Sequence, residues 1–315
     1  MGDRQYHKGF NMKKSIPTVT IGIAAYNEEK NISKLLRDVC KQKEKAFVIT
    51  QIVVALDGCT DHTKYEIERC NDNRIKVLDY KKNQGKIART NNLLHFTKTD
   101  YLILIDADIK LFDDSAFMSL LEPMLKPGSK ISLTSGRQVP IVGSSLVEKI
   151  ASAGARVWDI AKSMSGYNSI YYCSGGNRAF AKSFYQKLKF PKIMAEDIYP
   201  YMYAKLNGYI FEYVPKPIIL YSLPKTLKDY LLRDKRYTLS PLQHKQLFNP
   251  DLVNREFTIN NKIRLKALFI AIFTNPIWTA VYLFLSPLPK LMAFFEKDKY
   301  QSTWKPLSST RGGSN

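Results

Sequence analysis

Two rhythms of apolar and polar positions alternate along the first 140 residues. Short apolar runs fall at 18–24, 51–56, 75–78, 101–105 and 130–138, and helical patterns intervene at 30–42, 62–70 and 84–96. The runs predict strands and the intervening stretches predict helices, so the alternation predicts βαβ units around a parallel sheet. After the first two runs the chain turns on polar residues, Ala25-Tyr26-Asn27-Glu28-Glu29 and Asp57-Gly58-Cys59-Thr60-Asp61. Asn27 and Asp61 are natural helix N-caps there, and Glu28 and Glu29 suit a first helical turn.

Beyond residue 140 the pattern is less regular. A helical periodicity over 146–164 leads to the small-residue turn Ser174-Gly175-Gly176-Asn177. Its two glycines permit close backbone approach to a ligand, or serve a simple turn. Ala195-Glu196-Asp197 opens a helix that ends near Asn207, and runs at 209–214 and 218–220 read as short closing strands. Residues 225–266 hold ten Lys and Arg against four Asp and Glu, whereas the 23 residues of 267–289 carry no charged side chain. That stretch could span a bilayer, but Asn275, Pro276, Pro287 and Pro289 interrupt it. Positive charge flanks both ends, with Arg264 and Lys266 before and Lys290 after. It therefore reads as a membrane-embedded or interfacial helical segment, kinked or re-entrant at Pro276, with a buried core helix or dimer surface as the alternative.

Composition changes this picture in one respect. Across 315 residues, 48 Lys and Arg outnumber 28 Asp and Glu, a formal charge of +20. Such a surface attracts polyanions, and anionic lipid, nucleic acid and nucleoside diphosphates all qualify. Cys40, Cys59, Cys70 and Cys173 show no zinc spacing, which favours free thiols in a reducing cytosol. The first 14 residues are polar and basic, without the apolar core of a secretory signal.

Candidate chemistry begins where the run 101–105 stops on Asp106-Ala107-Asp108. If strand alternation continues, both carboxylates point the same way. At the carboxyl edge of a parallel sheet, where open α/β folds bind ligands, they form a hard-oxygen site. Mg²⁺ or Mn²⁺ with phosphates completing the shell is the usual occupant. Two turn-forming aspartates at a strand end are the plainer alternative.

Taken in order, Ala25-Tyr26-Asn27-Glu28, Asp57-Gly58, Asn83-Gln84-Gly85-Lys86, Asp106-Ala107-Asp108, Ser174-Gly175-Gly176-Asn177, Glu196-Asp197 and Arg233-Asp234-Lys235-Arg236-Tyr237 resemble the motif series of the family 2 glycosyltransferases. The resemblance covers roughly residues 17–240 and implies a GT-A fold, an α/β, Rossmann-like and mostly parallel sheet flanked by helices. It implies that Ala25, Tyr26, Asn27 and Glu28 surround the nucleoside, that Asp57 contacts the base and that Lys86 lies on the nucleotide side. Asp106 then lies near the ribose and the metal, Asp108 bridges the metal to the diphosphate, and Asp197 is the catalytic base beside Glu196. Gly175, Gly176 and Asn177 fall on the diphosphate and acceptor side, with Arg233, Arg236 and Tyr237. The last three resemble the Q-x-x-R-W motif of processive members, with Arg233 in place of Gln and Tyr237 in place of Trp. The implied divisions are a polar tail at 1–16, the GT-A domain at 17–223, a basic helical segment at 224–256, a hydrophobic membrane-associated segment at 257–298 and a tail at 299–315.

Residue chemistry agrees with that reading. Glycosyl transfer passes through an oxocarbenium-like state, so a departing diphosphate needs positive charge and an incoming hydroxyl needs a base. One base, one metal carboxylate and no evident further nucleophile favour direct displacement with inversion. The expected partners are a nucleotide sugar, UDP-linked by family habit, and a lipid, polyisoprenyl phosphate or glycan acceptor at the cytoplasmic side of the cell membrane. Arg156, Trp158 and Asp159 either line the acceptor side or belong to a core helix, and His244 is a further metal ligand or a surface residue. A haloacid-dehalogenase-like phosphatase fits less well, because Lys110 stands where that motif carries Thr or Val. A nucleotidyltransferase would want a Gly-rich loop that Gly22-Ile23-Ala24-Ala25-Tyr26 does not supply. A nucleic-acid binder finds no zinc or basic-aromatic pattern in its support.

Overall fold

The computed structural model describes residues 15–166, 169–193 and 195–296; apart from residues 15 and 16, the two expected tails lie outside the described residues. Among these residues one sheet is built from β1 (Thr18–Ala25), β2 (Val48–Asp57), β3 (Ile75–Tyr80), β4 (Tyr101–Asp106), β5 (Ile109–Leu111), β6 (Ile131–Ile141), β7 (Asn177–Ala181) and β8 (Ile210–Ser222). Their order is β3-β2-β1-β4-β7-β6-β8-β5. The first four in that order are parallel. β7 enters antiparallel between β4 and β6, β8 runs parallel to β6, and β5 closes the edge antiparallel to β8.

Alternation along β4 shows how the core divides. Ile103 and Ile105 join a cluster with Leu35, Val39, Phe117 and Leu120, whereas Leu102 and Leu104 join Leu93, Phe180, Phe184 and Met202 on the other face. Helices Ile32–Cys40 and Ala116–Leu125 therefore cover one side of the sheet, and Lys86–Phe96 and Tyr199–Leu206 the other. Both faces are buried, which is why the central strands read as unbroken apolar runs.

Several elements differ from the sequence expectation. The first two helices start at Ile32 and Thr63, so neither Asn27 nor Asp61 is an N-cap. Asp61 instead accepts the Thr63 amide two residues on, an Asx turn ahead of the helix. The runs at 209–214 and 218–220 are one strand, β8, whose register against β6 shifts between Gly136 and Gln138, opposite Val214–Ile219. Pro215 and Pro217 donate no ladder hydrogen bonds, and the bulge is the result.

The uncharged stretch also resolves into parts. Helix Asn261–Thr274 ends at Asn275, and Pro276 and Pro287 then begin helices Pro276–Leu285 and Pro287–Glu296, the position where a missing N–H does least harm. Helix Pro276–Leu285 packs on Leu146–Ser165 so closely that a Cβ at Gly154 would stand 2.6 Å from the Tyr282 ring. Outward, Phe269, Phe273, Ile277, Phe284, Phe294 and Phe295 are all exposed. Pro276–Phe295, 20 residues of mean hydropathy 1.3, is long and apolar enough to cross a membrane.

Candidate active site

Loops at the carboxyl ends of β1 and β2 are stitched together. Asn27 takes a left-handed φ of 55°, a conformation that Asn tolerates better than most residues. From there its Oδ1 accepts the Thr60 amide at 2.8 Å and its Nδ2 donates to Thr60 Oγ1 at 3.1 Å. The Glu28 amide donates to Thr63 Oγ1 at 2.7 Å, and Glu28 Oε2 accepts from Asn31 Nδ2 at 2.8 Å.

Asp57, the expected base contact, has protein partners of its own. It is 1% exposed, and its carboxylate accepts from the Gln84 amide at 2.9 Å, the Gly85 amide at 2.8 Å and Arg89 Nε at 2.8 Å. Arg89 in turn lies 3.8 Å above the Tyr80 ring. Asp57 is thus a buried anchor that shapes the Asn83–Lys86 loop, whose residues line a cavity of about 1430 Å³. Glu28, Lys86, Asp106, Asp108, Gly175, Gly176, Glu196, Asp197, Arg233, Arg236 and Tyr237 line the same cavity. Ala25, Tyr26, Asn27, Asp57 and Asn177 do not. The Asn177 side-chain amide is engaged with the backbone of Gly136, accepting at 2.6 Å and donating at 3.2 Å.

Asp106 ends β4 and Asp108 lies in the turn that leads to β5, so strand alternation does not carry through the motif. A turn still puts both on one wall. Lys86 ties this wall to the next: its Nζ lies 2.7 Å from Asp106 Oδ1 and 2.8 Å from Glu196 Oε1. Burial works against the Lys86 charge, but Asp106, Glu196 and Asp197 outweigh it and hold the ammonium above its ordinary range. For Asp197 burial and the neighbouring Glu196 charge act together and push its carboxyl up. Burial opposes the Glu196 charge as well, but Lys86 and Arg178 overcome it and keep that carboxyl low.

Helix Leu227–Leu247 forms the far wall. Arg233 pairs with Asp234 at 2.8 Å, and Arg236, Tyr237, Tyr221, Asp159 and Trp158 line the space beside it. Lys162 pairs with Asp159 at 3.0 Å. Arg156 is exposed and off the cavity. The cavity continues to Arg264, Leu268, Tyr282, Leu283 and Lys290 of the apolar helices. His244 is not a surface residue: it is fully buried, its Nδ1 is 2.8 Å from the Ser240 carbonyl, burial lowers its pKa, and among the described residues it belongs to no group of three metal-binding side chains. Sequence reasoning missed Arg178, buried behind Asp197, and Gln138, whose side chain touches the Gly176 position. A lone Arg or Gln in a strand gives no periodic signal.

Residues 20–189, more than half of the chain, match glycosyl transferase family 2. The chain belongs to that family and is a glycosyltransferase. Poly-beta-1,6-N-acetyl-D-glucosamine synthase of Staphylococcus epidermidis is 24% identical over 221 residues, 68% of this chain and 52% of that protein. The chain therefore spans about half the length of the curated relatives it matches. Among solved structures, a mannosyltransferase from Pyrobaculum calidifontis in complex with GDP-Man and Mn²⁺ superposes with a TM-score of 0.65 at 16% identity, covering 90% of this chain and 87% of that one. Staphylococcus aureus TarS, fragment 1–349, superposes at 0.51 and 17% identity, with 88% and 78% covered. The fold is GT-A.

Proposed function

We propose that this chain moves a sugar from a nucleotide donor, UDP-linked by the family resemblance, to a hydroxyl or phosphate oxygen of a lipid or lipid-linked glycan, with inversion and with Asp197 as general base. One observation carries the reading: a single cavity joins the Asp106–Asp108 turn, the Glu196–Asp197 pair and the apolar helices. The donor lies along the sheet edge with its diphosphate toward Asp106 and Asp108. The acceptor comes from the helical side, where Arg236, Arg264 and Lys290 suit an anionic head group and Leu268 and Leu283 an apolar chain.

As the acceptor oxygen bonds to the anomeric carbon, the bond from that carbon to the diphosphate oxygen breaks, and the nucleoside diphosphate leaves with the electron pair. A hydroxyl acceptor gives its proton to Asp197, whose raised pKa suits proton capture near neutrality. Asp106 and Asp108 offer the carboxylate oxygens that Mg²⁺ or Mn²⁺ takes, and among the described residues no cluster of three metal-binding side chains exists to hold it alone, so donor phosphates would complete the shell. Bound there, the cation would offset charge on the departing diphosphate. Lys86 keeps Glu196 and Asp106 in fixed relation while this charge builds.

The polysaccharide synthase relative supports a glycan product for the cell envelope. The exposed apolar helices support work at a membrane surface, which this reading puts on the cytoplasmic side. Asp197→Asn is expected to cut transfer to a small residual rate with donor affinity nearly intact, and Asp108→Ala to weaken Mn²⁺-dependent donor binding too. Radiolabelled transfer and calorimetric donor titration separate the two. Near-normal turnover in Asp197→Asn would place the base elsewhere.

A further inference from the structure

Arg178 stands at the centre of the sheet, opposite Leu104 of β4 and Ser135 of β6. It is 1% exposed. Its guanidinium lies 5.9 Å from the Phe180 ring centre and 5.6 Å from that of Phe190. Nη1 donates to the Asp197 backbone carbonyl at 3.5 Å, and Nε meets no partner among the described residues. Of the acids around it, Asp106 and Glu196 are engaged with Lys86.

A guanidinium cannot shed its charge, so seating one among aromatic rings without a carboxylate partner is strongly unfavourable. Met would occupy this face of the sheet more cheaply. What the charge meets is the Glu196–Asp197 segment, where it favours the ionised form of both side chains. Gly175 closes on Asp197 so tightly that a Cβ there would stand 2.0 Å from Oδ1. The segment is therefore set between a glycine wall and a buried cation.

We propose that Arg178 is a positioning residue for the transfer step, holding the Asp197 main chain at its carbonyl and supplying the fixed positive charge behind the Glu196–Asp197 pair. The inference rests on Asp197 being the base. Arg178 does not line the cavity, so its effect falls on turnover rather than on donor binding.

Steady-state kinetics on Arg178→Met, Arg178→Lys, Asp197→Asn and the Arg178→Met/Asp197→Asn double variant test it. Arg178→Met is expected to melt at or above the wild-type temperature, to lose kcat on the order of 100-fold and to keep its donor KM within about twofold. Arg178→Lys keeps the charge and not the fork, and should fall between. In the Asp197→Asn background, Arg178→Met should change the residual rate little, because the two residues act as one unit. Wild-type kcat in a folded Arg178→Met, a loss borne by donor KM, or equal losses in both backgrounds would each overturn the proposal. If Arg178→Met fails to fold, Arg178→Lys decides: lower kcat at constant donor KM supports the role, and unchanged kcat refutes it. An active Asp197→Asn takes down the base assignment and this inference together, whereas an active Arg178→Met beside a dead Asp197→Asn removes this inference alone.

Discussion

Gly175 and Gly176 have no room for side chains, for reasons the sequence only half disclosed. A Cβ on Gly176 would stand 2.7 Å from Ile219 and 2.8 Å from Gln138 Nε2, and one on Gly175 would strike the Asp197 carboxylate. The Gly-Gly pair was legible as a place of close approach, yet what approaches is the chain's own acid and amide. Asp106, Asp108 and Asp197 were legible because acids at strand ends and loop starts carry a chemistry that few other residue types supply. Arg178 was not, since a strand arginine looks like any solvated charge until packing buries it. Asp197 yields a pH prediction. The base must be deprotonated to act, and burial with Glu196 beside it raises its pKa, so kcat should fade on the acid side at a higher pH than an ordinary aspartate would dictate. A pH–rate profile with saturating donor checks this; an acid limb at the ordinary carboxylate range would contradict it.

Among the secondary-structure elements, β1, β2, β4 and β6 announce themselves as apolar runs, whereas β5, β7 and helix Ala116–Leu125 do not. β5 is three residues long, β7 carries Asn177 and Arg178, and the helix holds Pro123 in its interior. Each lacks the periodicity that sequence reading depends on. The end of β2 shows what the missing context changes. Asp57 reads from sequence as a ligand contact, and the structure adds that it is the buried pin between β2, the 83–85 loop and Arg89. Both members of its ion pair are 2% exposed or less. Breaking such a pair strands a buried charge, so Asp57→Asn should lose about 3–5 kcal/mol of stability and raise donor KM by loosening the loop that carries Lys86. Urea unfolding measures the first effect, and a variant as stable as wild type would show that the pin is dispensable.

For the molecule as a whole, the question is what covers the apolar helices. Leu268, Tyr282, Leu283 and Ser286 form part of the cavity wall, so cutting the chain at residue 257 would open the site as well as remove the exposed surface. Point substitutions separate the two effects. Phe273 is 72% and Phe284 82% exposed, and neither lines the cavity. Sinking each ring into lipid is worth about 1.5–3 kcal/mol, and the positive charge on neighbouring helices adds attraction to anionic head groups. Phe273→Asp/Phe284→Asp should therefore abolish flotation with vesicles containing phosphatidylglycerol. Because surface changes of this kind alter stability little, its melting temperature should stay within about 2 °C of wild type. Its turnover of a water-soluble acceptor should persist, while turnover of an acceptor embedded in vesicles should fall with the loss of membrane binding. Wild-type protein that stays at the bottom of the gradient, or a double variant that floats equally well, would mean that these rings face something other than lipid.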